Sequence, residues 1–295
     1  MPIRRRTRTR ETTLALSVVH ALGALPAAAP TEARVADDLR DRPIPLLLHA
    51  PTALDYHQVP IRLESHQAHE RLVDVCSLGL SSSSYYARSD GLNAPYYRPF
   101  PAALSRVYCR QGVARRLVKA NDLVRKYGVE ILVLDGFRPI ALQRELWEHF
   151  IEQAKQTLCH PTEEQCTRYA GQFCSDPRGY REDDWRTWPT HNTGGAVDVT
   201  LRALGTREPL YMGGVFDDAS EVSFSDYYER TAGPANSASF KEARSNRRLL
   251  YWAMSAAGFV NYPYEWWHYD FGTQMAVTNR GGKGTACYGR AALPK

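Results

Sequence analysis

Apolar residues recur at helical spacing in one well-marked stretch of the chain. Val113, Leu117, Ala120 and Val124 lie three or four residues apart and Gly128 follows as a stop, so the spacing predicts an amphipathic helix over residues 113–127. Val129-Glu-Ile-Leu-Val-Leu134 comes next, an apolar, β-branched run of the length of a buried strand. Pro139 suits the first position of another helix, whose apolar face is Leu142, Leu146 and Phe150. Arg71–Cys76 and Ala196–Leu201 alternate and predict strands. Asn246–Ala257 predicts a helix stopped by Gly258, with final strands over Phe259–Tyr262 and Glu265–Phe271.

Other segments carry no sustained period. Residues 30–70 read as an irregular lead-in, 155–190 as a loop-rich insertion, and 276–295, with Gly281, Gly282 and Gly284, as a loose tail. The main domain then runs over 71–275. Helices between strands, with several hairpin-like joins, predict an α+β fold: a central antiparallel or mixed sheet with helices packed on one side.

Composition refines this picture at few points. With 295 residues and 43% hydrophobic side chains, the chain can bury the core of one catalytic domain. Much of the net charge of +5 sits in Arg4, Arg5, Arg6, Arg8 and Arg10, so no nucleic acid partner is expected. That basic start, the apolar run Leu14–Leu25 and the small residues up to Ala29 predict a secretory signal peptide over 1–29 and export, to a bacterial periplasm. No later stretch is apolar and long enough to span a membrane. The six cysteines form no C-x-x-C pair, which disfavours a cysteine metal site. An even number in an exported chain suits disulfides, and Cys76 with Cys109 is the expected pair.

Two segments carry chemistry. In His191-Asn-Thr-Gly-Gly-Ala-Val-Asp198, a glycine turn lets a histidine fold back toward a strand aspartate. Strand alternation puts Asp198 on the face of Ala196 and Thr200, and Val197, Val199 and Leu201 on the other. In Glu265-Trp-Trp-His268 a carboxylate and an imidazole stand three apart. Two histidines and a carboxylate are a common catalytic zinc set, and a further carboxylate is what a zinc hydrolase uses as base. Residues three apart on a flat strand face opposite ways. Glu265 therefore shares a site with His268 only if the strand twists strongly or Glu265 lies in a turn after Pro263. Taken singly, each histidine also reads as a packing residue and Asp198 as a turn cap, so spacing alone leaves both readings open.

Taken together, H-x-x-G-x-A-x-D, E-W-W-H-Y and the upstream Asp135-Gly-Phe-Arg138-Pro139 resemble the zinc D-alanyl-D-alanine dipeptidases of the vancomycin-resistance type, from about Arg71 to Phe271. The resemblance implies His191, Asp198 and His268 as ligands of one Zn2+ and Glu265 as catalytic base. It also implies that Arg138 stabilises the transition state, that Asp217 receives the substrate ammonium, and that the substrate is a small peptide, D-Ala-D-Ala or one derived from peptidoglycan. Relatives of the same kind include D,D-carboxypeptidases acting on longer peptides and zinc-bearing binding modules without catalysis. In one respect the sequence departs from the pattern: Pro189 stands where a serine commonly precedes the first ligand by two.

Overall fold

The computed structural model describes residues 38–47, 56–218, 220–230 and 237–293. The predicted signal segment, 1–29, lies outside them. In chain order the strands are β1 (Leu72–Asp74), β2 (Ser81–Ser82), β3 (Tyr108–Arg110), β4 (Val129–Asp135), β5 (Ala196–Ala203), β6 (Val260–Asn261) and β7 (His268–Asp270). The helices are α1 (Gln111–Arg125), α2 (Ile140–Thr157), α3 (Glu163–Ala170), α4 (Tyr227–Arg230), α5 (Ala238–Ala256) and α6 (Gln274–Asn279). β1 and β3 form an antiparallel pair, and the other five make a sheet of order β2-β4-β5-β7-β6. In that sheet β2 runs parallel to β4 and the remaining pairs are antiparallel. This is the mixed α+β architecture that the pattern predicts.

The register divides the sheet into an apolar and a chemical face. Ile131 lies opposite Leu201 and Val133 opposite Val199, and all four are fully buried. They join Leu117 and Val124 of α1 and Leu249, Leu250 and Met254 of α5 in one core, and α1 and α5 pack on each other. Alternation turns Asp198 and Thr200 away from that core. A bulge between Val133 and Asp135 then skips Leu134, so that Asp135 pairs with Asp198. One extra residue thus re-aims a carboxylate onto the chemical face.

Several expectations are corrected. The 155–190 segment is not all loop: α2 runs on to Thr157, and α3 is set by a capping box between Thr162 and Gln165. α5 begins at Ala238, with Ser237 as cap, eight residues before the predicted Asn246. The strand expected over Arg71–Cys76 is only Leu72–Asp74, because the Asp74 carboxylate caps a 3-10 turn over Val75–Leu78. The tail is not loose. Ala286 bridges to Ile61, Tyr288 is buried, and its hydroxyl donates to Glu70 at 2.9 Å. Cys76 and Cys109 are not bridged: Cys76 is exposed, Cys109 is buried, and all six cysteines are free thiols.

Candidate metal centre and its cleft

Strand pairing delivers two of the three candidate ligands. Asp198 lies directly opposite His268 on the neighbouring strand, and Asp270 lies opposite Ala196 on the same face. His191 arrives from a 3-10 turn over Thr190–Thr193, ended by Gly194 at φ 68°. That left-handed backbone favours glycine, and a Cβ at 194 would also press on the end of the Leu72 side chain. The His191 carbonyl is fixed by the backbone N–H groups of Arg138 and Gly194, each at 3.1 Å.

The hydrogen bonds assign which nitrogen of each ring carries the proton when the ring is neutral. His191 Nδ1 lies 2.8 Å from the Gly136 carbonyl, which only accepts, so Nδ1 donates and Nε2 keeps its lone pair. His268 Nε2 donates to Asp270 Oδ2 at 2.9 Å, leaving Nδ1 as the acceptor, and Asp270 is held in turn by Thr273 Oγ1 at 2.6 Å. Two lone pairs, His191 Nε2 and His268 Nδ1, then face each other at 3.2 Å. Asp198 completes the set, with Oδ1 3.0 Å from His268 Nδ1 and Oδ2 3.5 Å from His191 Nε2. With both rings neutral, three acceptors converge here with no donor among them, an arrangement relieved either by a proton on His268 Nδ1 or by a bound metal ion.

The spacing fits zinc. Ligands at about 2.0–2.1 Å from a tetrahedral ion are roughly 3.3 Å from one another, close to the 3.2 Å between the two ring nitrogens. Among the described residues, His191, Asp198 and His268 are the group whose donor atoms converge to hold a metal, and all three are buried. The electrostatics point the same way. Burial disfavours a charged His268, yet Asp270 and Asp198 outweigh it and hold its pKa well above the usual imidazole range. Burial likewise opposes ionised Asp198, but His191 and His268 keep its carboxyl far below the ordinary value. The cluster stabilises positive charge at its centre.

Glu265 reaches this centre from a turn rather than from the strand, which resolves the geometric difficulty of its spacing. The predicted strand Glu265–Phe271 is in fact His268–Asp270. The Glu265 N–H donates to the Tyr262 carbonyl, and Asn261 Nδ2 donates to the carbonyls of Glu265 and His268, each at 3.0 Å. A carboxylate oxygen of Glu265 comes to 3.7 Å from His268 Nδ1. Burial, then the charges of Asp198 and Asp217, push its pKa up to about 8 against the pull of His268 and Arg138.

Arg138 follows β4 and is gripped along one edge. Its Nε donates to Asp135 at 2.9 Å, and Nη2 to Tyr86 Oη at 3.0 Å, with Asp198 at 3.5 Å. Asp217 has φ 58°, rare for a residue with a side chain. One of its oxygens accepts from Tyr86 at 2.7 Å and from Tyr96 at 2.8 Å. Burial, and next the Asp198 charge, raise its pKa to about 6.

These side chains open onto one cavity of about 560 Å³. It is lined by the lead-in residues Tyr56 and His57, by residues 171–176 of the insertion, and by Pro189, Tyr262 and Tyr264. Sequence reasoning did not single out Asp135, Tyr86, Tyr96 or Asp270 as site residues. Asp270 was legible as the i+2 neighbour of His268 on one strand face. Tyr86 and Tyr96 sit in what reads as plain loop.

Comparison with known proteins bears on the same residues. The family model described as D-ala-D-ala dipeptidase matches residues 72–281. A D-alanyl-D-alanine dipeptidase of Synechocystis is 33% identical over 181 residues, 56% of this chain and 70% of the relative. One from Enterococcus faecium is 32% identical over 166 residues, 56% of this chain and 74% of the relative. A solved vancomycin-resistance D,D-pentapeptidase in complex with Zn(II) is 19% identical and covers 61% of this chain and 82% of its own, at a TM-score of 0.37, too loose an overlay to argue from.

Proposed function

The chain belongs to the D-ala-D-ala dipeptidase family, and on that premise we propose that it is a zinc-dependent hydrolase of D-alanyl-D-alanine-type dipeptides. The observation that carries the reading is the convergence of His191 Nε2, His268 Nδ1 and an Asp198 oxygen, with Glu265 beside them. Bound there, zinc would lower the pKa of a water and polarise the scissile carbonyl. Glu265 takes the proton as the water oxygen attacks the carbonyl carbon, then passes it to the nitrogen as the C–N bond breaks. A carboxylate whose pKa is lifted toward neutrality suits both transfers. Arg138 faces the negative charge that grows on the carbonyl oxygen, a role worth roughly 10²–10³ in rate. Asp217 pairs with the substrate's free ammonium.

A structural zinc site closed by four ligands has no use for a base, and Glu265 beside a three-residue set argues against a purely binding module. The choice between dipeptides and longer, peptidoglycan-derived peptides is decided by comparing kcat/KM for D-Ala-D-Ala with that for a pentapeptide ending in D-Ala-D-Ala. The dipeptide should be the faster substrate. Faster cleavage of the pentapeptide would make the chain a D,D-carboxypeptidase.

The arginine-rich start and apolar run over 1–29 support export and a role at the cell wall. N-terminal sequencing of the protein from a periplasmic fraction should find a start near Ala29; an intact Met1 would contradict export. No helix among the described residues is long and apolar enough to cross a membrane.

A further inference from the structure

Gln143 lies in the first turn of α2, is almost wholly buried, and has no part in the chemistry assigned above. Its Oε1 accepts from Arg138 Nη1 at 3.1 Å, and its Nε2 donates to the Ser175 carbonyl at 2.9 Å. A buried amide costs free energy unless both ends are paired, whereas leucine would fill similar space without that cost. Pairing is thus what distinguishes glutamine at this position. Asp135 and Tyr86 grip the edge of the Arg138 guanidinium made by Nε and Nη2. Gln143 bonds the remaining nitrogen and so fixes the tilt of the plane. Beyond Gln143 the series continues, for Ser175 Oγ is 2.9 Å from the Tyr56 hydroxyl. Ser175 and Tyr56 both wall the cleft, one from the insertion and one from the lead-in.

We propose that Gln143 is a positioning residue, which holds the Arg138 guanidinium toward the reacting carbonyl and ties it to the cleft wall at Ser175. The proposal rests on the reading of Arg138 as partner of the carbonyl oxygen. A guanidinium free to tilt by a fraction of an ångström loses stabilisation of the transition state while substrate binding is little changed.

The test is a double-mutant cycle on the zinc-loaded protein, with Gln143→Leu, Arg138→Ala and the two combined. Two quantities are read: kcat and KM for D-Ala-D-Ala, and calorimetric affinity for a phosphinate dipeptide that mimics the tetrahedral species. Gln143→Leu should lower kcat by about 10- to 100-fold with KM within about twofold, and weaken the phosphinate by the same factor. Gln143→Glu keeps an acceptor for Nη1 but loses the donor to the Ser175 carbonyl, so it should recover only part of kcat, lying between Gln143→Leu and the wild type. Added to Arg138→Ala, Gln143→Leu should cost nothing further. Equal losses in both backgrounds, or an unimpaired Gln143→Leu, would overturn the proposal. If Gln143→Leu does not fold, Gln143→Met, which also removes both hydrogen bonds, takes its place in the cycle. An inactive wild type would sink the dipeptidase reading and this proposal together; an active one with additive losses would sink this proposal alone.

Discussion

Asp270 never needs to touch an ion to matter to one. By accepting from His268 Nε2 it decides which nitrogen of that ring turns inward, and Thr273 keeps it in place. Asp270→Asn can present an N–H instead and lose that control. Zinc affinity should fall by about 10- to 100-fold, read by competition with a chromophoric chelator; an unchanged affinity would remove Asp270 from the metal's support. Asp217 offers a test in pH. Its folded pKa of about 6 stands above that of an unfolded aspartate, about 3.9. The folded protein therefore binds a proton here between about pH 4 and 6 that the unfolded chain releases. The contribution to stability is greatest at low pH and is lost as pH rises through 6. Asp217→Asn has no such loss, so its melting temperature relative to wild type should rise between pH 4.5 and 7.5. An advantage that grows toward acid would contradict the burial assigned to this carboxyl. In kinetics, an ammonium needs the ionised form, so the wild type should lose kcat/KM for free dipeptides below about pH 6. N-acetylated dipeptides should be poor substrates throughout.

At the scale of elements, the centre depends on segments far apart in the chain. Arg110, at the end of β3, is buried, and its guanidinium donates to the carbonyl of Thr193 at 2.8 Å, of Gly289 at 2.7 Å, of Arg290 at 3.1 Å, and of Glu70. One side chain thus ties the His191 turn to the lead-in and the tail. Arg110→Ala leaves several carbonyls unpaired at about 1–3 kcal/mol each. Urea unfolding should show a loss of at least about 3 kcal/mol, and the tail should become sensitive to trypsin; a loss under about 1 kcal/mol would mean that water replaces the arginine. Such long-range ties explain what the sequence leaves hidden. β5 and the apolar faces of α1 and α2 were legible because each obeys a single period. The division of β5 into a valine face and an Asp198 face was legible for the same reason. The tail was not, since its partners, Ile61, Glu70 and Arg110, lie more than 170 residues away and glycines mask any period. α3 was missed although Thr162 and Gln165 form a capping box, because cysteines and polar residues suggested loop. The start of α5 was missed because its first turns are mostly polar. Only the pairing of β5 with β7 brings His268 and Asp270 to Asp198, and no local pattern encodes that.

For the whole molecule, a sheet with one apolar face buried under α1 and α5 presents its other face as a floor for chemistry. Loops, lead-in and insertion wall the cavity above it. The proposed chemistry depends on a single cation held by His191, Asp198 and His268 and used for hydrolysis with Glu265. The most direct test measures bound zinc and D-Ala-D-Ala hydrolysis together, in the wild type as purified, after chelation and after zinc is returned, and in Glu265→Ala. The wild type should hold one zinc per chain, lose activity with the metal and regain it with zinc. Glu265→Ala should keep the zinc while kcat falls by roughly 10²–10⁴. Full hydrolysis by the metal-free protein, or by Glu265→Ala with zinc bound, would contradict it.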